Sequence, residues 1–305
     1  MKILLIKGGW SPEREISLAG AKNIAQALAE LGHSVTELDL LEGFNRLAAE
    51  ARSHDFAFIN LHGAPGEDGL PQAILDCAGC PYQGSDAVGS FIALNKAAAK
   101  QLYRLHGIPT PAWHFLPEKP ENDWRPEIAW PIFVKSNTGV SSLGLYKAKN
   151  SAELTEALDK LFLTGSGVIM ETCQQGMELS CAVLGNRALP PVLIEPLCGD
   201  FFDFESKYKQ NGAREICPAP IDADLIEKCG KLALSCHNAL GLYGISRTDM
   251  ILNEKGEFTV LETNTLPGMT KTSIVPREAA AAGLCFNDLI AELIRLGLER
   301  KIGCV

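Results

Sequence analysis

The sequence predicts an α/β protein built from three consecutive regions: a parallel sheet at the N-terminus, then two regions that mix strands with helices. Two observations predict it. In the first quarter of the chain, apolar runs that end in glycine alternate with stretches of helical periodicity, the mark of a parallel sheet whose C-terminal loops bind ligands. From about residue 89 the texture changes to Ala- and Lys-rich helix, polar hairpin and longer amphipathic helices. The apolar fraction of 46% and charged fraction of 21% are those of an ordinary globular protein with a core to bury.

"KILLIKGG" reads as a first strand, continuous in apolar residues and closed by glycines. "SLAGAKNIAQALAELGHSV" has apolar residues at helical spacing, with Gly32 as its C-terminal cap. "SVTELDL" and "DFAFINLHG" are further strands, and "GLPQAILDCAG" a helix. "ALNKAAAKQLYRLHGIP" reads as one helix stopped by Gly107 and Pro109. "WPIFVKSNTGVSSLGLYKAKN" gives two strands around a polar, glycine-containing loop. "SAELTEALDKLFL" is a helix opened by a Ser/Glu capping signature at Ser151. "GVIMETC", "ELSCAVLG", "PPVLIEP", "TDMIL" and "FTVLETN" are strands, and "DADLIEKCGKLALSCHNALG" and "CFNDLIAELIRLGLER" helices. The expected divisions are an N-terminal α/β region, 1–88, a central region, 89–178, and a C-terminal region, 179–305.

A formal net charge of −9 argues against non-specific nucleic-acid binding, which needs a basic surface. "MKILLIKGGW" lacks the longer apolar stretch and cleavage site of a signal peptide, and no run approaches the ~20 apolar residues of a spanning helix. A cytoplasmic protein with reduced thiols is therefore expected from its ten cysteines. Cys77 and Cys80 form a lone C-x-x-C without a second pair, and read as small packing residues at a helix end.

Chemistry concentrates in three places. In "TVLETNTLPGMTKTS", Glu262 and Asn264 are two apart on a strand and so point to one side. The preceding strand carries Asp249, and the short turn "NEKG" between them makes a hairpin that brings three oxygen ligands together, a set suited to Mg²⁺ bound with nucleotide phosphates. Arg247 shares the face of Asp249. Read alone, the two acidic residues are equally well solvent-facing or paired with lysines. Lys135 precedes the loop "NTGVSSLG", which reads either as a polar hairpin or as a phosphate cradle. Lys96 opens the Ala-rich helix.

Taken in order, "GGWSPEREISLAGA", "LHGAPGEDGLPQAIL", "PYQGS", "LNKAAAK", "FVKSNTGVSSLG", "METCQQGMELS", "FFDFESKY", "SRTDMIL" and "LETNTLPGMTKTSIVP" resemble the successive motifs of D-alanine–D-alanine ligases, members of the ATP-grasp superfamily. The resemblance covers almost the whole chain. It implies the ATP-grasp fold and an ATP-dependent ligase that joins two D-alanines through an acyl phosphate for peptidoglycan precursor synthesis. A same-fold ligase with D-lactate, D-serine or another amino acid as acceptor is the alternative.

The resemblance assigns metal ligands for Mg²⁺ or Mn²⁺ to Asp249, Glu262 and Asn264, and ATP-phosphate contacts to Lys96, Lys135, Ser142 and Lys207. It places Glu171 and Glu178 near the adenine and ribose. Glu13 would hold the first D-alanine's ammonium, with Ser141 and Tyr208 as hydrogen-bond partners and His62 nearby. Arg247 and the Gly268 N–H would face the tetrahedral intermediate. Ser273, with Lys207, would anchor the second carboxylate. The family also implies a homodimer. The sequence departs from the family at Asn95, where aspartate is frequent, at Ser136, where proline is usual, at Val140, where glycine is common, and at Phe202 and Phe204, where tyrosines are frequent.

Overall fold

The structure is a computed structural model that describes residues 1–121, 124–139, 144–165, 167–196 and 213–300. Strands β1 (Lys2–Lys7), β2 (Ser34–Asp39) and β3 (Phe56–Ile59) form a parallel sheet in the order β2-β1-β3. The apolar run of β1 is continuous because both faces of the strand are covered. Ile3 and Leu5 meet Ile24 and Leu28 of α1 (Arg14–Glu30), whereas Leu4 and Ile6 meet Leu47 of α2 (Phe44–Ala51) and Leu75 of α3 (Leu70–Ala78). Helix α1 begins three residues before the apolar periodicity does. Gly32 follows its C-cap Leu31 with φ of 80°, the left-handed turn that ends the helix.

The single helix expected around Lys96 is two, α4 (Ala87–Leu94) and α5 (Lys96–Leu105). Asn95 separates them: its ψ of 94° is extended, and its side-chain oxygen accepts the Ala98 N–H, so it caps α5. The central sheet has the order β4-β7-β5-β6, from β4 (Trp113–Leu116), β5 (Ile132–Ser136), β6 (Tyr146–Ala148) and β7 (Val168–Thr172). Helix α6 (Ser151–Phe162) covers one face through Leu154, Leu158 and Leu161. Its cap is Asn150 instead of Ser151. Asn150 takes the N–H groups of Ala152 and Glu153, and Glu153 reaches back to the Lys149 N–H.

The third sheet is antiparallel. It comprises β8 (Met177–Leu184), β9 (Arg187–Ala188), β10 (Val192–Pro196), β11 (Ala213–Ile216), β12 (Ile245–Leu252) and β13 (Phe258–Asn264), in the order β11-β10-β8-β12-β13 with β9 beside β8. Helix α7 (Ala223–Ala239) covers its apolar face through Cys229 and Ala233. Two helices complete the chain, α8 (Ile274–Ala281) and α9 (Phe286–Glu299). Helix α9 returns to the first sheet, where Leu289 and Leu293 join Ile3, Phe56 and Phe58 in one core.

That return needs Gly297. A Cβ there would lie 2.5 Å from the Tyr82 carbonyl and 2.7 Å from the Phe56 ring. Gly297→Ala is expected to destabilise the chain by roughly 1–3 kcal/mol through overpacking. The measurement is a lower thermal midpoint with unchanged ATP affinity; a midpoint equal to wild type would refute the tight approach.

The C-x-x-C is split. Cys77 is exposed, while Cys80 is buried, and burial pushes its thiol up to about 11. Only Cys80 packs as expected. Trp10 is 53% exposed and stacks edge-on against Phe44, outside the cleft described next.

Candidate active site

A cleft of about 800 Å³ opens between the first sheet's loops, α4 and α5, and the third sheet. Its floor is set by a pairing detail. Asp249 lies opposite Glu262 and Arg247 opposite Asn264, but Met250 lies opposite Val260, so Leu261 is a bulge. With an unbroken two-residue alternation, Glu262 would share the side of Val260, which is fully buried. The extra residue turns Glu262 and Asn264 over, onto the face of Arg247 and Asp249. On β8, Ser180 and Glu178 share that face by register.

The four residues are held tightly. Arg247 forks onto Asp249, Nε to Oδ1 at 3.0 Å and Nη2 to Oδ2 at 2.8 Å, and Ser180 Oγ donates to Oδ1 at 2.6 Å. Asn264 Oδ1 accepts the Leu266 N–H. Lys96 Nζ lies 3.5 Å from Glu262 Oε2 and donates to the Gly139 carbonyl at 2.7 Å. Two carboxylates and a carboxamide on one face are hard oxygen donors. They are too few to fill the shell of a small dication, which leaves room for phosphate oxygens. In the structure their charge is answered by Arg247 and Lys96.

Lys96 is placed by an asparagine clamp. The Asn137 side chain accepts the Ala97 N–H and donates to Asn95 Oδ1, and the Asn137 carbonyl takes the Lys96 N–H. Asn95 thus ties α5 to the loop after β5.

The opposite wall comes from the first region. Glu13 sits at the N-terminus of α1, where Ser17 Oγ accepts the Gly8 N–H and donates to the Asn60 carbonyl. His62 Nδ1 donates to the Leu266 carbonyl at 3.0 Å. Burial lowers its pKa despite Glu13 nearby, so the imidazole is neutral and Nε2 is a bare acceptor. Ser273 stands just before α8, and its Oγ accepts the Thr270 N–H instead of an N–H of the helix. A Cβ on Gly268 would come within 2.8 Å of that Oγ, so only glycine fits there without a shift.

Glu13, His62, Lys96, Glu178, Arg247, Asp249, Glu262, Asn264, Gly268 and Ser273 therefore line one cleft. Lys135 and Glu171 stand behind its wall. Glu171 is 3% exposed and does not reach the cavity: its carboxylate lies between Lys100 and Lys135, 3.1 Å from each ammonium. Burial works against the charge on Glu171, and the two lysines outweigh it and hold the carboxyl below its usual range. Burial likewise opposes the charge on Lys135, but Glu171, Glu262 and Asp249 hold its pKa up. Ser141, Ser142, Lys207 and Tyr208 lie outside the described residues, as do Val140, Phe202 and Phe204.

Three charged residues in or beside the site have no sequence signal of their own. Glu67 on the cleft wall accepts the Gly63 N–H, and burial, reinforced by Glu13, pushes its carboxyl up to about 8. Glu278 of α8 is fully buried and accepts the Ala182 N–H; burial raises its pKa strongly, with Arg247 opposing. Lys100 is fully buried behind the cleft, and burial pushes its ammonium down to about 8. Each is defined by groups brought to it from other elements of the fold. Only the "HGAPGEDG" motif around Glu67 offers a hint.

A sequence profile of the family described as D-ala D-ala ligase C-terminus matches residues 102–295. The D-alanine–D-alanine ligase of Desulfovibrio desulfuricans is 58% identical over 98% of this chain and 97% of its own length. Crystal structures of the D-alanine–D-alanine ligase of Bacillus anthracis, one of them complexed with ATP, superpose with TM-scores of 0.88 and 0.87 at 33% and 31% identity. Each match covers 98% of this chain and 97% of the other. Sequence and shape agree across nearly the full length and the profile over residues 102–295, and the chain belongs to the D-alanine–D-alanine ligase family of the ATP-grasp fold.

Proposed function

We propose that the protein joins two D-alanine molecules with ATP, for peptidoglycan precursor synthesis, in the cleft described above. The observation that carries the reading is the bulge-turned floor, with Arg247, Asp249, Glu262 and Asn264 on one face opposite Glu13 and His62. Identity of 58% to a D-alanine–D-alanine ligase over 98% of the chain favours D-alanine over other acceptors.

A carboxylate is a poor electrophile. In the first step a carboxylate oxygen of the first D-alanine attacks the γ-phosphorus of ATP and ADP leaves. In the second, the amine of the second D-alanine attacks the acyl-phosphate carbonyl, loses a proton, and expels phosphate to leave the peptide bond. Lys96 and Lys135, with Ser142 and Lys207, would neutralise the phosphates, and Glu178 would take the ribose. Asp249, Glu262 and Asn264 would hold Mg²⁺ or Mn²⁺, which supplies charge neutralisation at the phosphates when bound.

Glu13 would hold the first ammonium, with Ser141 and Tyr208 beside it and the neutral His62 Nε2 as an acceptor near that substrate. Nε and Nη2 of Arg247 grip Asp249, which leaves Nη1 and the Gly268 N–H to meet the oxyanion. Ser273, with Lys207, would receive the second carboxylate. Glu171 acts through the lysines it binds.

We divide the chain at residues 88 and 178 and place a homodimer in the cytoplasm. Among the described residues, no helix is long and apolar enough to cross a membrane. Mixing the purified chain with ATP, Mg²⁺ and D-alanine should release one phosphate per dipeptide, and L-alanine should give none. No phosphate release across a panel of D-amino acids would refute the assignment.

A further inference from the structure

We propose that Lys100 is a positioning residue of the nucleotide site: its buried ammonium takes up one oxygen of Glu171 and so leaves the charge of Lys135 available to the triphosphate. The inference rests on the proposed role of Lys135 as a phosphate contact. Lys100 lies one helical turn after Lys96 on α5, yet it does not line the cleft. Its ammonium has two hydrogen-bond acceptors and one ion-pair partner. Nζ lies 3.1 Å from Glu171 Oε1, donates to Thr110 Oγ1 at 2.7 Å, and donates to the Leu261 carbonyl at 3.1 Å.

Leu261 is the bulge residue that turns Glu262 toward the cleft. Thr110 in turn donates to the Val260 carbonyl. One buried ammonium therefore ties α5, the central sheet and the bulged strand of the third sheet together.

The charge count explains why a lysine is there. Glu171 and Lys135 alone would make a neutral pair, and a phosphate would find little net attraction. Lys100 restores one positive charge to the group, and the member of the three that is not sealed off is Lys135, 17% exposed against 1% for Lys100 and 3% for Glu171. The buried carboxylate orients Lys135 through Oε2, and its charge is balanced from behind through Oε1. In a low-dielectric setting one unit of charge so close to a phosphate changes affinity by about tenfold or more.

The test measures the dissociation constant of magnesium–AMPPNP by calorimetry at pH 7, together with the KM for D-alanine, in four proteins. Lys135→Met should weaken nucleotide binding by about tenfold or more, and Lys100→Met by a similar factor, with the D-alanine KM within about twofold of wild type. Lys100→Met/Glu171→Gln removes the excess negative charge, and its nucleotide affinity should return to within about threefold of wild type.

A structural role at the bulge predicts the opposite for the double variant, because the contacts to Leu261 and Thr110 stay lost. Unchanged binding in Lys100→Met, or a double variant no tighter than the single, overturns the proposal. If Lys100→Met does not fold, the double variant compared with wild type decides on the same criterion. Unchanged binding in Lys135→Met overturns the phosphate role of Lys135 and the proposal with it, whereas weakening there without weakening in Lys100→Met removes the proposal alone.

Discussion

Arg247→Met is expected to lower kcat by about a hundredfold to a thousandfold, the range seen when a donor to a developing oxyanion is removed. The side chain is 16% exposed, and two of its nitrogens bind both oxygens of Asp249. Its loss therefore has two consequences. The transition state loses a fixed cation, and Asp249, 9% exposed, keeps Ser180 as its remaining described donor. Breaking a largely buried ion pair from one side costs about 3–5 kcal/mol, so the thermal midpoint should fall as well.

A companion variant separates the two. Arg247→Met/Asp249→Asn removes the stranded charge and should recover most of the lost stability while turnover stays low. Arg247→Lys keeps the charge but not the fork, and should also stay well below wild type. Steady-state ADP release and differential scanning calorimetry on the three variants check this. Activity returning with stability in the double variant would show that Arg247 serves the fold and not the chemistry.

Glu262→Gln is expected to shift the magnesium requirement by about tenfold or more and to cut turnover at ordinary magnesium by about a hundredfold, since one of the two anionic ligands is neutralised. The residue is one-third exposed on the cleft face and faces Asp249 across the strands. Lys96, 3.5 Å away, keeps its bond to the Gly139 carbonyl in the variant, so the local fold should survive. The measurement is ADP release against magnesium concentration, repeated with manganese. Higher metal should recover part of the loss. An unchanged magnesium dependence would remove Glu262 from the metal set.

Much of this site is legible in the amino-acid sequence. The i, i+2 spacing of Glu262 and Asn264 puts those two side chains on one side of their strand, and the short turn brings the strand of Asp249 beside it, although the face they share with Asp249 depends on the bulge. The continuous apolar runs of β1 and β3 announce a sheet covered on both sides. Local signals mislead where they are ambiguous by a residue. Ser151 has the side chain of a cap, but Asn150 has an equal preference and the extended backbone that a cap needs. Asn95 sits inside an alanine-rich periodicity that gives no sign of the break it makes. Helices α2 and α8 are eight residues each, too short for a convincing period.

The burial of Lys100 and Glu171 has no local signal, since a lysine on a helix and a glutamate at a strand end are ordinarily solvated. By itself the sequence determined which oxygens, cations and glycines the protein owns, and it paired those a few residues apart, because spacing along a strand or helix dictates direction. The tertiary structure alone decided which way the floor of the cleft faces, through the bulge at Leu261. It also decided which charges are spent on one another. Both depend on groups far apart in the chain, such as Lys100 with Glu171 and with Leu261, approaching within about 3 Å in the buried interior.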